Sequence, residues 1–217
     1  MRRWPIANFV LIAAIAVVSV YGWVVGDGWG FGPMEDMVLR GWDPVGLVGH
    51  MFLHADILHL VGNLVFLWVF GNAVCAKLGN LSYVAAFLAF GLVAAVTHNV
   101  LDGAPAIGAS GAINGVVGAF LILYPRNDVS CFYLFLLNVG SFELSAMWLI
   151  LAWVAFDVWG AIDGGGQTAY WAHLGGLAAG AGLLWAGVAR GWVKMERTEQ
   201  SLLAVIAERR RVRSEEG

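Results

Sequence analysis

The sequence contains few charged residues. Asp, Glu, Lys and Arg make up 12% of its 217 residues, and hydrophobic residues make up 60%. Soluble domains average about 25% charged residues, so this composition excludes a soluble domain and indicates a membrane protein. The net charge of −3 is also too small to suggest a nucleic-acid partner.

Cysteines and metal-binding patterns are scarce as well. The two cysteines, Cys75 and Cys131, fall in segments that we place on the cytoplasmic side, which argues against a disulfide. Three histidines within ten residues can in principle hold zinc. However, the sequence has no His-Glu-x-x-His pattern, and Asp56 is the one carboxylate nearby. We therefore expect no metal and no other cofactor.

Long apolar runs dominate the chain. A membrane-spanning helix needs about 20 mostly apolar residues, and on this basis six spans are predicted, at 6–26, 48–71, 80–101, 109–125, 144–162 and 169–190. The predicted fold is an all-α, polytopic bundle of six transmembrane helices over residues 1–191. A polar tail with a partly amphipathic helix follows at 192–217. The apolar stretch Phe132–Leu137 is too short to span and is expected to be interfacial.

Lysine and arginine are distributed asymmetrically between the predicted loops, and this distribution sets the orientation of a membrane protein. With a cytoplasmic N-terminus, only Arg40 lies outside. The basic residues on the inner side are Arg2, Arg3, Lys77, Arg126, Arg190, Lys194, Arg197, Arg209, Arg210, Arg211 and Arg213. Both termini are therefore predicted to be cytoplasmic, and spans two, four and six begin in the outer leaflet.

Polar residues cluster where those three spans begin. Ser110 begins span four, His173 begins span six, and four polar residues begin span two: His50, His54, His59 and Asn63. Polar side chains at membrane depth are costly unless they face a cavity or each other. We therefore expect these side chains to converge, although each alone is more often a structural residue.

Ser110 and His173 form the candidate catalytic pair. Gly108 and Gly111 allow close backbone approach beside Ser110, and a helix N-terminus favours an oxyanion. GxxxG motifs follow both residues, at 111–115 and 176–180, and such motifs pack helices backbone to backbone. A histidine base beside a serine is the minimal activated nucleophile. No acid is assigned as a third member, since Asp157 and Asp163 merely lie near the outer end of span five.

His59 and Asn63 are the candidate oxyanion donors. They are four residues apart and so share one helix face, and both can donate side-chain hydrogen bonds. Together with the backbone N–H of Ser110 they make a plausible oxyanion hole; the simpler interpretation is that they cross-link helices. We expect a structural role for His54 and a supporting role near the oxyanion for His50.

The combined spacing resembles the rhomboid family of intramembrane serine proteases over the whole chain except the tail. The matching segments are His50-x3-His54-x4-His59-x3-Asn63, Phe70-Gly71, Gly108-Ala109-Ser110-Gly111, and Ala172-His173-x2-Gly176-x3-Gly180. The resemblance implies a Ser110–His173 dyad, an oxyanion hole from His59, Asn63 and the Ser110 N–H, and transmembrane-helix proteins as substrates. It also implies lateral access between spans two and five. The expected location is a bacterial inner membrane.

Three positions depart from the family pattern. Many members have a glutamate where this chain has Cys75, some have a histidine-stacking tyrosine at the position of Asn114, and the first outer loop reads Arg40-Gly41-Trp42. Two alternatives remain open. One is a rhomboid-like protein that binds membrane clients without cleaving them. The other is a small-solute transporter or channel, which is disfavoured because the sequence shows no internal repeat.

Overall fold

The computed structural model describes residues 4–26, 31–135, 138–164 and 168–215. Its helices are α1 (Ile6–Val25), α2 (Pro44–Gly49), α3 (Ile57–Leu78), α4 (Asn80–Leu101), α5 (Ser110–Leu123), α6 (Ala146–Asp163), α7 (Tyr170–Ala189) and α8 (Leu202–Glu215), with short 3-10 helices at Gly32–Met37 and His50–Phe52. Strands β1 (Asp128–Phe135) and β2 (Asn138–Ser145) form a hairpin. Arg2, Arg3, Leu136 and Leu137, which enter the sequence predictions, lie outside the described residues.

The chain is an integral membrane protein with the predicted all-α architecture. Helices α1, α3, α4, α6 and α7 are long and apolar enough to cross a membrane. The sixth predicted span, α5, has 14 residues and rises about 21 Å, less than the roughly 30 Å of a hydrocarbon core. Helix α5 is therefore too short to cross that core by itself, and twelve of its residues are buried within the protein.

The second span begins later than predicted, at residue 57 and not at 48. Asp56 is the reason, because its side chain caps the new helix by accepting a hydrogen bond from the His59 backbone N–H at 2.8 Å. Aspartate at this position satisfies a backbone donor that otherwise has no partner within the helix. The residues before it form α2 and the 3-10 turn that begins at His50.

Helix α3 contains a π-helical turn, Leu67–Gly71, that is tied to α1 and α4. The side chain of Asn8 donates to the Leu67 carbonyl at 2.8 Å, and the Tyr83 hydroxyl donates to Asn8 Oδ1 at 2.6 Å. A π turn disturbs the regular backbone bonding, and the Asn8 amide supplies a partner there. A polar contact thus joins three spans beside an irregular turn.

The β-hairpin is an element that the sequence analysis did not predict. Its strands pair antiparallel from Asp128 opposite Ser145 to Phe135 opposite Asn138. Pairing provides hydrogen-bond partners for the backbone N–H and C=O groups between the two strands, while apolar side chains such as Phe132 remain exposed. The hairpin includes most of the stretch expected to be interfacial and connects α5 to α6.

Helix α5 packs directly against α7 through glycines, as the two GxxxG motifs predict. A Cβ atom added to Gly176 would lie 1.9 Å from the Gly111 carbonyl oxygen, and one added to Gly180 would lie 1.7 Å from that of Gly115. No side chain fits in this interface, so the two backbones are fixed against each other. Their N-terminal ends hold Ser110 and His173 side by side.

Residues of the tail contact the bundle at the end opposite Ser110. Lys77 forms an ion pair with Glu199, and Arg126 forms one with Glu208 at 3.0 Å. Helix α8 buries Val205, as expected for an amphipathic segment. The tail is thereby folded onto the helix ends.

Candidate active site

A cavity of about 720 Å³ opens between α3, α5, α6 and α7. The polar residues that converge on it include four predicted site residues, Ser110, His173, His59 and Asn63, together with Asp157. Three of them begin or lie near the start of a helix. The arrangement places a nucleophile, a base and two side-chain donors around one space.

Ser110 and His173 are in hydrogen-bond contact. The Ser110 Oγ lies 2.9 Å from His173 Nε2, within the range expected for a nucleophile and its base. Ser110 is the first residue of α5, and no side chain caps that helix end. The first backbone N–H groups of the helix and its dipole are thus directed toward the cavity.

The flanking glycines allow these close approaches. Gly108 has a φ of 120°, and a Cβ atom there would lie 2.8 Å from His59 Nε2. Its N–H donates to the His50 carbonyl at 2.8 Å. A Cβ atom on Gly111 would lie 2.6 Å from that of Ala94. The first glycine lets the loop pass beside His59, and the second lets α5 pack against α4.

Asp157 is the residue that the sequence analysis left unassigned. Its Oδ1 lies 3.0 Å from His173 Nδ1, and both side chains are buried. Of the two acids that the sequence left without a role, Asp157 is thus the one that contacts His173. A lone carboxylate in an apolar span is a signal of function, and this signal was available in the sequence. Asp163, the other acid considered, is exposed at the end of α6.

His54 lies behind the candidate oxyanion hole in a chain of hydrogen bonds. Its Nε2 accepts from Asn63 Nδ2 at 2.8 Å and from the Ala109 N–H at 3.4 Å. Its proton must therefore be on Nδ1, which donates to Ser19 Oγ at 2.9 Å. The Ser19 hydroxyl in turn donates to the Phe52 carbonyl at 2.9 Å. Burial lowers the pKa of His54 to about 3, which keeps the ring neutral and able to accept.

His50, like His54, lies outside the described lining of the cavity. It is buried, and its Nδ1 contacts the Gly46 carbonyl at 2.9 Å. Burial lowers the pKa of His50, against the opposing effect of its backbone contact. Its contact with the site is through its carbonyl, which holds Gly108 in place.

Asn114 and Tyr170 account for one departure from the family pattern. The Asn114 amide donates to the Ser110 carbonyl at 3.0 Å, one turn back along α5. An aromatic neighbour of His173 comes instead from its own helix: the Tyr170 ring lies edge-on to it at 6.3 Å.

Across the described ranges, no group of three or more His, Cys, Asp or Glu side chains is placed to hold a metal ion.

Aromatic side chains form the wall between α3 and α6. Phe66 and Trp153 are in contact with their rings 5.1 Å apart, and both line the cavity. Four aromatic residues of α6 are exposed: Trp148, Trp153, Phe156 and Trp159. Trp153 and Phe156 thus both line the cavity and remain partly exposed at the outside of the bundle.

Comparison with known proteins finds relatives for most of the chain. A family model described as "Rhomboid domain" matches residues 41–190. The chain is 28% identical to "Rhomboid protein 1, mitochondrial" of Saccharomyces cerevisiae over 75% of this chain and 48% of that protein. It is 27% identical to "Rhomboid protease GlpG" of an Enterobacter species over 82% of this chain and 62% of that protein. The matches thus span about half of these relatives' length. The chain belongs to the rhomboid family.

Proposed function

We propose that this protein is an intramembrane serine endopeptidase that cleaves transmembrane helices of other proteins with a Ser110–His173 pair. The observation that supports this most directly is the 2.9 Å contact between Ser110 Oγ and His173 Nε2 at the edge of a polar cavity. A structural serine in a membrane helix would more often bond to a carbonyl of its own helix. The protease names among the relatives support the same activity.

The proposed reaction has two stages. Ser110 Oγ attacks the substrate carbonyl carbon as its proton passes to His173 Nε2, and the resulting oxyanion intermediate collapses as the C–N bond breaks. His173 gives the proton to the departing amine, which leaves an acyl ester on Ser110. Water then attacks that ester, His173 takes a proton from the water and returns it to Ser110, and a carboxylic acid product is released.

The charge on the intermediate requires donors in fixed positions. Asn63 has two amide hydrogens, one of which is directed to His54, and the other remains for the substrate oxygen. The Ser110 backbone N–H and the His59 ring are the other donors in the proposal. Donors held in place before the reaction lower the barrier because they need not reorganise as charge develops.

The proposed substrate must partly unwind before it reacts. Carbonyls of a transmembrane helix are engaged in hydrogen bonds within that helix, so the attacked residue has to leave the helical conformation. Glycine or proline near the cleavage site would lower this cost. The short α5 supports cleavage below the membrane surface, because its 14 residues rise only about 21 Å, too little to reach both surfaces of a hydrocarbon core of roughly 30 Å. The distribution of basic residues supports an opening on the outer side.

Two measurements on the purified full-length chain test the proposal. A fluorophosphonate probe should label Ser110, and a reporter protein with one transmembrane helix should be cleaved. Ser110→Ala should lose labelling and cleavage, and His173→Ala should lose cleavage, without a change in thermal stability. Ser82→Ala, at an exposed position of α4, is the matched control and should behave as wild type. Cleavage by folded Ser110→Ala at the wild-type rate would overturn the assignment.

A further inference from the structure

We propose that Arg126 and three arginines of α8 bind the headgroup of an anionic phospholipid at the end of the bundle opposite Ser110. A cavity of about 530 Å³ lies between α8 and the turn that follows α5. The described residues around it are Arg126, Ile206, Glu208, Arg209, Arg210, Val212 and Arg213. This arginine site shares none of these residues with the cavity at Ser110, so the inference is independent of the proposed function.

The charge of the arginine site is opposite in sign to that of the whole chain. The chain has a net charge of −3, whereas four arginines and one glutamate line this cavity. Arg126 forms an ion pair with that glutamate, Glu208, at 3.0 Å. Within the part of the chain that the structure describes, no ion pair involves Arg209, Arg210 or Arg213. These three guanidinium groups are available to an anion, and one arginine can hold a phosphate with two parallel hydrogen bonds.

The spacing of the arginines along α8 places the lining residues on one face. Arg209 and Arg213 are four residues apart, and Arg210 and Arg213 are three apart, so their side chains are neighbours on the helix surface. Arg211 lies on another face: it is not among the described lining residues, and it pairs with Glu215 at 2.9 Å. The helix therefore separates arginines that face the cavity from one that does not.

Contacts with the bundle hold α8 in place before any ligand binds. Arg126 donates to Gln200, just before α8, as well as to the glutamate of the cavity. In the same part of the tail, Glu199 pairs with Lys77 and accepts a hydrogen bond from the Tyr124 hydroxyl at 3.3 Å. A site whose groups are already ordered loses less conformational entropy when it binds a ligand. The arginine site is preorganised in this sense.

The surroundings of the site favour a lipid headgroup over a free phosphate ion. Ile206 and Val212 add aliphatic surface to the cavity, and Val212 is 48% exposed, whereas a free phosphate has no apolar part to contact them. Helix α8 contacts α5 and α7, which places it beside one surface of the membrane. Trp192, which follows α7, is exposed, with the Arg190 guanidinium 5.0 Å from its ring centre. Tryptophan at such a position is typical of the membrane–water interface.

A role in membrane orientation alone does not account for the cluster. Basic residues bias the orientation of a span within about 15–20 residues of its end. Arg209 is 20 residues beyond Ala189, the last residue of α7, and the other cavity-lining arginines of α8 are farther away. Four or more basic residues on a helix beside a membrane are instead typical of binding to anionic lipids.

The test measures phospholipid binding by the purified full-length protein in a neutral detergent. Native mass spectrometry gives the apparent Kd for the first added ligand, with phosphatidylglycerol, phosphatidylcholine and inorganic phosphate offered separately. Each basic group beside an anionic headgroup strengthens binding roughly fivefold, so Arg209→Gln with Arg213→Gln should bind phosphatidylglycerol about 25-fold more weakly than wild type. Arg197→Gln with Arg211→Gln is the matched control, because it removes the same charge from two exposed positions that are not among the described lining residues. It should bind as wild type does.

Phosphatidylcholine, which has no net charge, and inorganic phosphate, which has no apolar part, should both bind the wild type more weakly than phosphatidylglycerol. Equal phosphatidylglycerol affinity of the two double variants, at equal melting temperature, would overturn the inference. Phosphatidylcholine binding as tight as that of phosphatidylglycerol would do the same, and equally tight inorganic phosphate would assign the site to a free anion and reject the lipid. Salt tests the wild type without any variant: raising ammonium acetate from about 0.05 M to about 0.5 M should weaken phosphatidylglycerol binding by screening, and an unchanged Kd would also refute the proposal.

Discussion

Substitution of Gly180 by alanine should inactivate the protein, although Gly180 is not one of the proposed catalytic residues. The added Cβ atom would lie 1.7 Å from the Gly115 carbonyl oxygen, and real Cβ contacts are essentially never below 3.0 Å. Helices α5 and α7 must therefore separate by at least about 1.3 Å at this point. If the same shift reached the helix ends, the 2.9 Å contact between Ser110 and His173 would lengthen to about 4.2 Å, beyond hydrogen-bond range.

The expected magnitude follows from that displacement. A misplacement of about 1 Å can lower catalysis about 100-fold, and overpacking of this kind costs about 1–3 kcal/mol of stability. The measurements are kcat for the reporter substrate and the melting temperature in detergent. Gly182→Ala is the matched control, because it makes the same chemical change in the same helix and its Cβ would meet nothing within 4 Å. Equal kcat and equal melting temperature for the two variants would refute the close-packing argument.

Four further outcomes are expected. Asn63→Ala should lower kcat by about 10²–10³ because an oxyanion donor is lost; a raised KM with unchanged kcat would contradict that role. Burial lowers the pKa of His54 to about 3, from 6.5 in the unfolded chain. Below pH 6.5 the unfolded chain therefore binds a proton at His54 that the folded chain does not bind. The free energy of unfolding should fall by up to about 1.4 kcal/mol for each pH unit below this value. Melting temperatures from pH 7 to 5 should show this decline, and it should be weaker in His54→Asn. Chelators should leave cleavage unchanged, whereas inhibition reversed by zinc would indicate a metal site. A reporter enzyme that functions only in the cytoplasm should be active when it is fused after Gly217, and a reporter that functions only outside should be inactive there. The opposite pattern would reverse the predicted orientation.

The apolar runs and the polar cluster were predictable from the sequence because each has a strong local signal. Long apolar segments mark spans, and polar residues at the starts of three spans predicted a shared site around Ser110 and His173. The GxxxG spacing predicted which helices pair. All three inferences depend on periodicity or composition within one segment.

Other features depend on contacts between segments that are distant in sequence. Asp157 follows a run of apolar and aromatic residues, and nothing in its own segment predicts that it meets His173. In the sequence, Ser19 is likewise an ordinary residue of an apolar helix, and its contact with His54 arises only because α1 packs against the loop that contains His54. The hairpin was missed because its apolar stretch is short, and such stretches do not distinguish strands from interfacial segments.

The hydrogen bonds of α1 have a consequence for where the functional unit begins. The family match starts at residue 41, yet α1 ends before it and supplies the Ser19 hydroxyl that fixes the His54 tautomer. It also supplies Asn8, which bonds to the π turn of α3. A fragment cut at the family boundary would keep every residue that touches the substrate in the proposed reaction. It would lose the group that aligns Asn63, so the smallest active fragment must extend toward the N-terminus to include α1.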